Sequence, residues 1–212
     1  MITFIATKKF HICSKATVIW MPSNIFIDHK KMDGVVSMFT TWIRENKVAM
    51  WLLTVLRIYL GYDWMTHGWA KLTKGGFDAS GYIGNAITNS TGEGATVQGW
   101  WGSFLQTFAL PNVGLFNVLV PLGEFLVGLG LILGCFTTFA VLMAMVMNFA
   151  FLFSGTVSTN AQLILLEMFI LVAGFNAGKI GLDNWVVPYI RGLFGKFGNK
   201  DKTVHINTQQ NF

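Results

Sequence analysis

Apolar residues form four long runs along the chain, at residues 48–71, 115–134, 136–154 and 161–178. Each run is close to the roughly 20 mainly apolar residues that a membrane-spanning helix needs. The last three runs follow one another with only short breaks, a pattern that no water-soluble fold explains well. The pattern predicts an all-α fold, an integral membrane four-helix bundle over residues 34–190.

Polar residues interrupt the first run at Arg57, Asp63, His67 and Lys71. Insertion scales assign a cost of about 2.5–3.5 kcal/mol to a charge at the centre of a spanning helix. Such residues therefore face other protein or a water-filled cavity. We expect the first span to be packed inside the bundle.

Weaker patterns flank the four runs. Between residues 34 and 47 apolar residues recur every three or four positions, which predicts an amphipathic interfacial helix before the first span. The alternative is that these residues are the first turns of one long helix. Residues 1–33 have no strong helical period and predict a poorly ordered N-terminal extension, whereas residues 191–212 predict a basic cytoplasmic tail.

One long connection, residues 73–112, separates the first two spans and predicts a long outer loop, which in a compact domain usually has a function. Its first half is rich in glycine and is expected to be flexible. Aromatic residues from Trp100 to Phe108 recur at helical spacing and predict a short interfacial helix that ends at Pro111. After the loop, Gly130 and Gly134 in the second span form a small-xxx-small pattern, typical of close helix contacts.

Composition and charge support a membrane protein. The chain is 53% hydrophobic and only 12% charged, whereas about 25% is usual in soluble domains. Most Lys and Arg residues lie before the first run or after the last, so the positive-inside rule predicts a multi-pass cell-membrane protein with both termini cytoplasmic. The net charge of +5 therefore needs no nucleic-acid partner.

Metal and thiol chemistry are weakly supported by the sequence. The two cysteines, Cys13 and Cys135, form no C-x-x-C pair. The four histidines are scattered and none is at ligand spacing with another, so we predict no metal site and no haem.

Two buried charges on different spans, Arg57 and Glu124, are expected at similar depth. A pair between them would relieve both charges and could also receive an anion or another polar ligand group. The alternative is that the pair only fixes how the helices align. Glu167 in the fourth span is a further candidate, with Asn148, Arg57 or its own protonation as the expected compensation.

Trp64, His67 and Lys71 share one face of the first span near its outer end. His67 is also four residues from Asp63, a spacing that predicts a local ion pair. A histidine beside a carboxylate can supply hydrogen-bond donors and a route for protons. For Lys71 alone, we consider an ordinary interfacial lysine that extends to water the better interpretation.

The motifs together resemble those of the DoxX/DoxD family of small four-span membrane proteins. The matching features are the run from Arg57 to Lys71, the segment GEFLVGLGLILG from Gly123 and the closing GKIGLD from Gly178. WWGSFLQTFALPNVGLF resembles the longer, DoxD-like branch. The resemblance implies a membrane helical bundle and an oxidoreductase role, in one branch as the large subunit of a thiosulfate:quinone oxidoreductase.

The leading hypothesis is therefore quinone-linked redox chemistry, from a sulfur compound or another small reductant to quinone. His67 and Glu124 would act on the reacting groups, and Arg57, Trp64, Lys71 and Glu167 would hold the quinone. We expect the lipid bilayer as surroundings, with a second redox subunit or a second copy as partner. The alternatives are a non-catalytic scaffold subunit and, less favoured, a small-solute transporter.

Overall fold

The computed structural model describes residues 29–74 and 76–192, with side chains from residue 34 onwards. No strand occurs among these residues, and the predicted all-α class is confirmed. The helices are α1 His29–Glu45, α2 Lys47–Thr73, α3 Ser80–Thr88, α4 Gly99–Phe104, α5 Val113–Leu133, α6 Thr137–Phe153, α7 Asn160–Ala173 and α8 Phe175–Gly178, with a π-helical turn, Leu105–Ala109, after α4. A further helical segment occupies residues 183–192.

The four helices at the predicted spans, α2, α5, α6 and α7, contact one another in a ring. α2 lies against α5 and α7, and α6 completes the ring between α5 and α7. α5 alone among the helices described is long and apolar enough to cross a membrane by length and composition, while α6 and α7 are apolar but shorter. That all four helices cross a membrane stays a prediction.

The outward faces of these helices are apolar. Leu52 and Val55 on α2, Val118 on α5 and Leu165 on α7 are each at least 60% exposed. Charged side chains such as Arg57 are instead buried between the helices. An apolar exterior around a polar interior is the arrangement expected of a protein surrounded by lipid.

Close packing of α2 against α5 depends on glycines. A Cβ atom on Gly61 would lie 2.9 Å from the carbonyl oxygen of Gly128, and one on Gly68 would overlap the backbone of Phe125. Gly130 and Gly134, which form the small-xxx-small pattern of the sequence, lie elsewhere. Gly130 faces Ala140 of α6, and Gly134 ends α5 with a φ of 63°.

The turn between α5 and α6 is held by the closing segment of the sequence. The Asp183 carboxylate accepts hydrogen bonds from the backbone N–H groups of Phe136 and Thr137, at 2.7 and 2.9 Å, and so caps α6 from a distant part of the chain. A Cβ on Gly178 would collide with Asp183. The GKIGLD segment therefore has a structural role at this turn.

α1 and α2 are separate helices, not one. Asn46 has extended backbone angles between them, and its side chain accepts a hydrogen bond from the N–H of Val48 at 2.7 Å. This side chain caps α2. The first helix begins at His29 instead of the predicted residue 34, and the predicted disordered extension and basic tail lie outside the described residues except at 29–33 and 191–192.

The fourth predicted span is interrupted. α7 ends at Ala173, and Gly174 adopts a φ of 56° before the short α8. The Asn176 side chain donates to the carbonyl oxygen of Ile43 at 2.9 Å, which ties this break to the end of α1. The sequence pattern extended the helix through Gly174 because the residues beyond it are still apolar.

The glycine-rich half of the long connection contains a helix that we did not predict. In α3, Ile83 and Ala86 are buried on one face. Asp78 accepts hydrogen bonds from the hydroxyl and the backbone N–H of Ser80, and these bonds hold the pKa of Asp78 below its ordinary value. The Trp100–Phe108 segment is helical, as expected, through α4 and the π-helical turn.

Candidate functional site

A polar cavity of about 290 Å³ lies at the end of the bundle where the long connection folds over it. The C-terminal part of α2, the middle of α5, the C-terminal part of α6 and the N-terminal part of α7 form its walls. Four predicted site residues line this polar cavity: Trp64, His67, Lys71 and Glu124. The structure therefore brings together residues that are more than fifty positions apart in the sequence.

The strongest polar contact of the cavity joins Lys71 to Glu124. The Lys71 Nζ donates to Glu124 Oε1 at 2.5 Å. Glu124 is 2% exposed, and its Oε2 has no partner among the described residues. A short bond between a buried carboxylate and an ammonium group leaves two Lys71 donors and one carboxylate oxygen for a ligand.

The Lys71 ammonium group turns towards Glu124, which differs from the predicted lysine that extends to water, although 29% of the side chain stays exposed. Besides Glu124, its ammonium group lies 5.1 Å from the ring centre of Phe77 and 5.7 Å from that of Phe151. Both distances fall within the range of a cation–π contact. The carboxylate and the two rings draw the side chain inwards, and the sequence alone could not place Phe77 or Phe151 beside it.

His67 stands at the mouth of the polar cavity. Its Nδ1 lies 3.7 Å from Asp63 Oδ2, which is the expected pair, and 2.8 Å from the Asp63 carbonyl oxygen. A carbonyl oxygen only accepts, so Nδ1 carries the proton in this contact. The other ring nitrogen, Nε2, is left to accept a proton from water or to hold one for a ligand.

Behind the cavity, Glu167 is held by two neighbouring side chains. Trp64 Nε1 donates to Glu167 Oε1 at 3.0 Å, and Asn148 Nδ2 donates to both carboxylate oxygens, at 2.9 and 3.2 Å. Asn148 was one of the three expected compensations, whereas Trp64 was not expected. Glu167 is completely buried, and both of its partners, Trp64 and Asn148, line the cavity.

Arg57 lies away from the polar cavity, and the predicted pair with Glu124 was wrong. Its Nη2 donates to the carbonyl oxygen of Ile180 at 2.6 Å, and its guanidinium packs against Gly134 and Gly181. The two helices run antiparallel, so Arg57 is level with Gly134, which is about 15 Å along α5 from Glu124. Arg57 and Glu124 lie at similar distances from the ends of their apolar runs, which suggested a common depth in the membrane. The packing of the helices places them at different levels.

The cavity has a second wall that sequence reasoning missed. Phe77 and Tyr82 come from the long connection, and Phe151 and Thr156 from the end of α6 and the residues after it. The Tyr82 hydroxyl accepts a hydrogen bond from Thr156 at 2.9 Å and donates to the Phe151 carbonyl oxygen at 3.3 Å. Sequence spacing gave no signal for this wall, because the contacts join segments about seventy residues apart.

The charged groups of this region do not form a metal site. Across residues 34–74 and 76–192, no three His, Cys, Asp or Glu side chains come close enough to hold an ion. What the cavity offers is an ammonium group, a partly unpaired carboxylate, an imidazole at the mouth and aromatic walls. These groups suit a ligand that accepts hydrogen bonds and has a flat apolar body.

Comparison with known proteins agrees with the sequence motifs. Residues 52–156 match the family model of DoxX. This match contains Trp64, His67, Lys71, Glu124 and the whole long connection. No curated protein matches the chain, and no solved structure does.

Proposed function

We propose that this chain, a membrane protein of the DoxX family, takes part in quinone-linked redox chemistry. It would act as an oxidoreductase or as the membrane subunit of one, in the DoxD-like branch that its WWGSFLQTFALPNVGLF segment resembles. The quinone head group would occupy the polar cavity. A family alone supports a fold more than a reaction, so the proposal depends on the cavity.

The observation that carries the proposal is the Lys71–Glu124 pair inside a cavity with aromatic walls. A quinone presents two carbonyl oxygens on a flat ring. The remaining N–H donors of Lys71 suit one carbonyl, and Phe77 and Phe151 offer flat apolar surfaces beside it. Binding sites of this kind are mostly apolar, with a few placed polar groups that fix orientation.

Reduction of a quinone to a quinol consumes two electrons and two protons. Glu124 and His67 are the groups that would supply protons, since one lies against the head group and the other contacts water at the mouth. The electrons would come from a reduced sulfur compound or another small reductant. Since the sequence has no cysteine pair or paired haem ligands, we place the electron carrier in a second subunit.

The proposed site also changes the roles of the predicted residues. Lys71 becomes the main quinone-holding residue, with Glu124 and His67 as the acid–base groups. Trp64 and Glu167 form a supporting layer, because their hydrogen bond joins α2 to α7 directly beneath the cavity. Arg57 is left out of the site.

Quinone binding to the purified full-length chain tests the proposal. The variants Lys71→Gln and Glu124→Gln are expected to weaken binding of a water-soluble quinone by at least roughly tenfold, since each removes a charge-assisted contact worth about 1.5–3 kcal/mol. Lys47→Gln is the matched control, because Lys47 lies at the other end of α2 and is exposed. Equal affinity in all four proteins, or no binding by the unmodified chain, contradicts the proposal.

A second candidate is a non-catalytic scaffold subunit. It is favoured by the contacts that hold helices together without reaching the cavity, above all Arg57 with Ile180 and Asp183 with the start of α6. In that case Lys71→Gln and Glu124→Gln would lower stability without any separate loss of quinone binding. Measuring the melting temperature beside the affinity distinguishes the two functions.

A further inference from the structure

A second cavity, of about 250 Å³, adjoins the polar one. It lies between α3, the π-helical turn, α5 and α6, and we call it the apolar cavity. Phe77, Tyr82 and Phe151 line both cavities and form their common wall. Each cavity alone is at the lower limit of the roughly 300–1,000 Å³ typical of small-molecule sites, and the two together lie well inside that range.

The apolar cavity offers no free hydrogen-bonding side chain. Its polar lining groups are already bonded: the Ser154 hydroxyl accepts from Trp101 Nε1 at 2.9 Å and donates to the Ala150 carbonyl oxygen at 2.8 Å. The Tyr82 hydroxyl is bonded to Thr156 and Phe151. Water needs two or more polar partners in a cavity, so this one suits hydrocarbon.

The rim of the apolar cavity faces the apolar exterior of the bundle. Leu119 and Val146 line the cavity and are 53% and 55% exposed. In a membrane protein, side chains exposed at this position contact lipid. The π-helical turn, Leu105–Ala109, forms part of the same wall, and such turns often occur at functional sites.

We infer that the two cavities together bind one amphiphilic ligand, a quinone with an isoprenoid tail. Its head would lie at Lys71 and Glu124, and its tail would pass the wall of Phe77, Tyr82 and Phe151 into the apolar cavity. The ligand would enter from the lipid between α5 and α6. This inference rests on the proposed function and adds to it the class of quinone and the place of its tail.

Filling the apolar cavity tests this placement. Ala150→Phe and Val146→Phe add aromatic volume to its wall on α6, and Val146 is exposed enough to accept the larger side chain. Leu142→Phe is the matched control, because Leu142 is also exposed and lies one turn from Val146 but outside the cavity. The full-length chain is titrated with a quinone that has a short isoprenoid tail and with the same head group without a tail.

The unmodified chain is expected to bind the tailed quinone more tightly. Both filling variants should weaken binding of the tailed quinone by at least roughly tenfold, because its tail would bury less hydrocarbon area. They should leave the affinity for the tail-less quinone unchanged, and Leu142→Phe should alter the affinity for neither quinone.

The outcomes separate this inference from the proposed function. If the unmodified chain binds both quinones equally, or the filling variants affect both equally or neither, the tail lies elsewhere and the inference is overturned while the head-group site stands. If the unmodified chain binds neither quinone, the proposed function fails and the inference fails with it.

Discussion

At the residue scale, five charged or titratable side chains between the helices divide into two groups. Lys71, Glu124 and His67 line the polar cavity and have atoms free for a ligand. Arg57 and Asp183 instead hold the opposite end of the bundle together. The residue types alone identified Arg57 and Glu124 as intramembrane charges, but which charge meets which depends on antiparallel packing that no single span reveals.

The contact at Glu167 gives a stability prediction. Asn148→Leu removes the hydrogen bonds from the Asn148 amide to the Glu167 carboxylate and leaves only that of Trp64, so the free energy of unfolding should fall by about 1–3 kcal/mol. Asn112→Leu is the control, because Asn112 is exposed and bonds only within its own segment. Thermal unfolding in detergent measures both. Equal melting temperatures would mean that Glu167 does not need this bond.

The remote cap of α6 gives a second prediction. Asp183→Ala removes the acceptor of two backbone N–H groups and should cost about 0.5–2 kcal/mol, as loss of a helix cap does. Asp183→Asn keeps one acceptor oxygen and should cost less. Glu93→Ala, in the exposed loop, is the control. An Asp183→Ala protein as stable as this control would show that the cap contributes nothing.

At the element scale, the contact between α2 and α5 is the closest of the bundle because both helices present glycine there. Apolar runs and their helical character were predictable, since long segments at helical spacing have few alternatives. The separation of α1 from α2 near Asn46 was one of two alternatives that the pattern left open. The break at Gly174 and the helix α3 were not predictable, because capping and tertiary contacts determine them. The pattern likewise could not tell which glycines face a neighbouring helix.

Gly128 and Gly123 provide a matched pair on α5. A Cβ atom on Gly128 would overlap the backbone of Met65, so Gly128→Ala should separate the helices and cost about 1–3 kcal/mol. A Cβ atom on Gly123 would meet only the flexible Met147 side chain, at 3.4 Å, so Gly123→Ala should leave the free energy of unfolding unchanged or raise it slightly. Unfolding in detergent compares them. The packing account is contradicted if Gly128→Ala is as stable as Gly123→Ala.

At the scale of the whole molecule, the polar cavity and the Arg57–Asp183 turn occupy opposite ends. α2 passes both, and its stretch from Arg57 to Lys71 is about 21 Å long. By the distribution of lysine and arginine, the cavity end is predicted to face outwards and the end with the termini to face the cytoplasm. A quinone site near the outer surface follows from this orientation.

Labelling of introduced cysteines tests the orientation. With Cys13 and Cys135 replaced by Ser, a membrane-impermeant maleimide should label Thr91→Cys in intact cells, because Thr91 is exposed in the long connection. It should label Lys179→Cys, at the opposite end, only after the membrane is permeabilised. Labelling of Lys179→Cys in intact cells would reverse or disprove the predicted topology.

The measurement that tests the central claim most directly is photochemical cross-linking of a light-activated quinone to the full-length chain in native membranes, with the modified residues located by mass spectrometry. The account predicts adducts on the cavity walls, at Phe77, Tyr82 or Phe151, that an excess of unmodified quinone prevents. Adducts found only on lipid-facing residues such as Val55 and Leu165, or adducts that competition does not reduce, would contradict it.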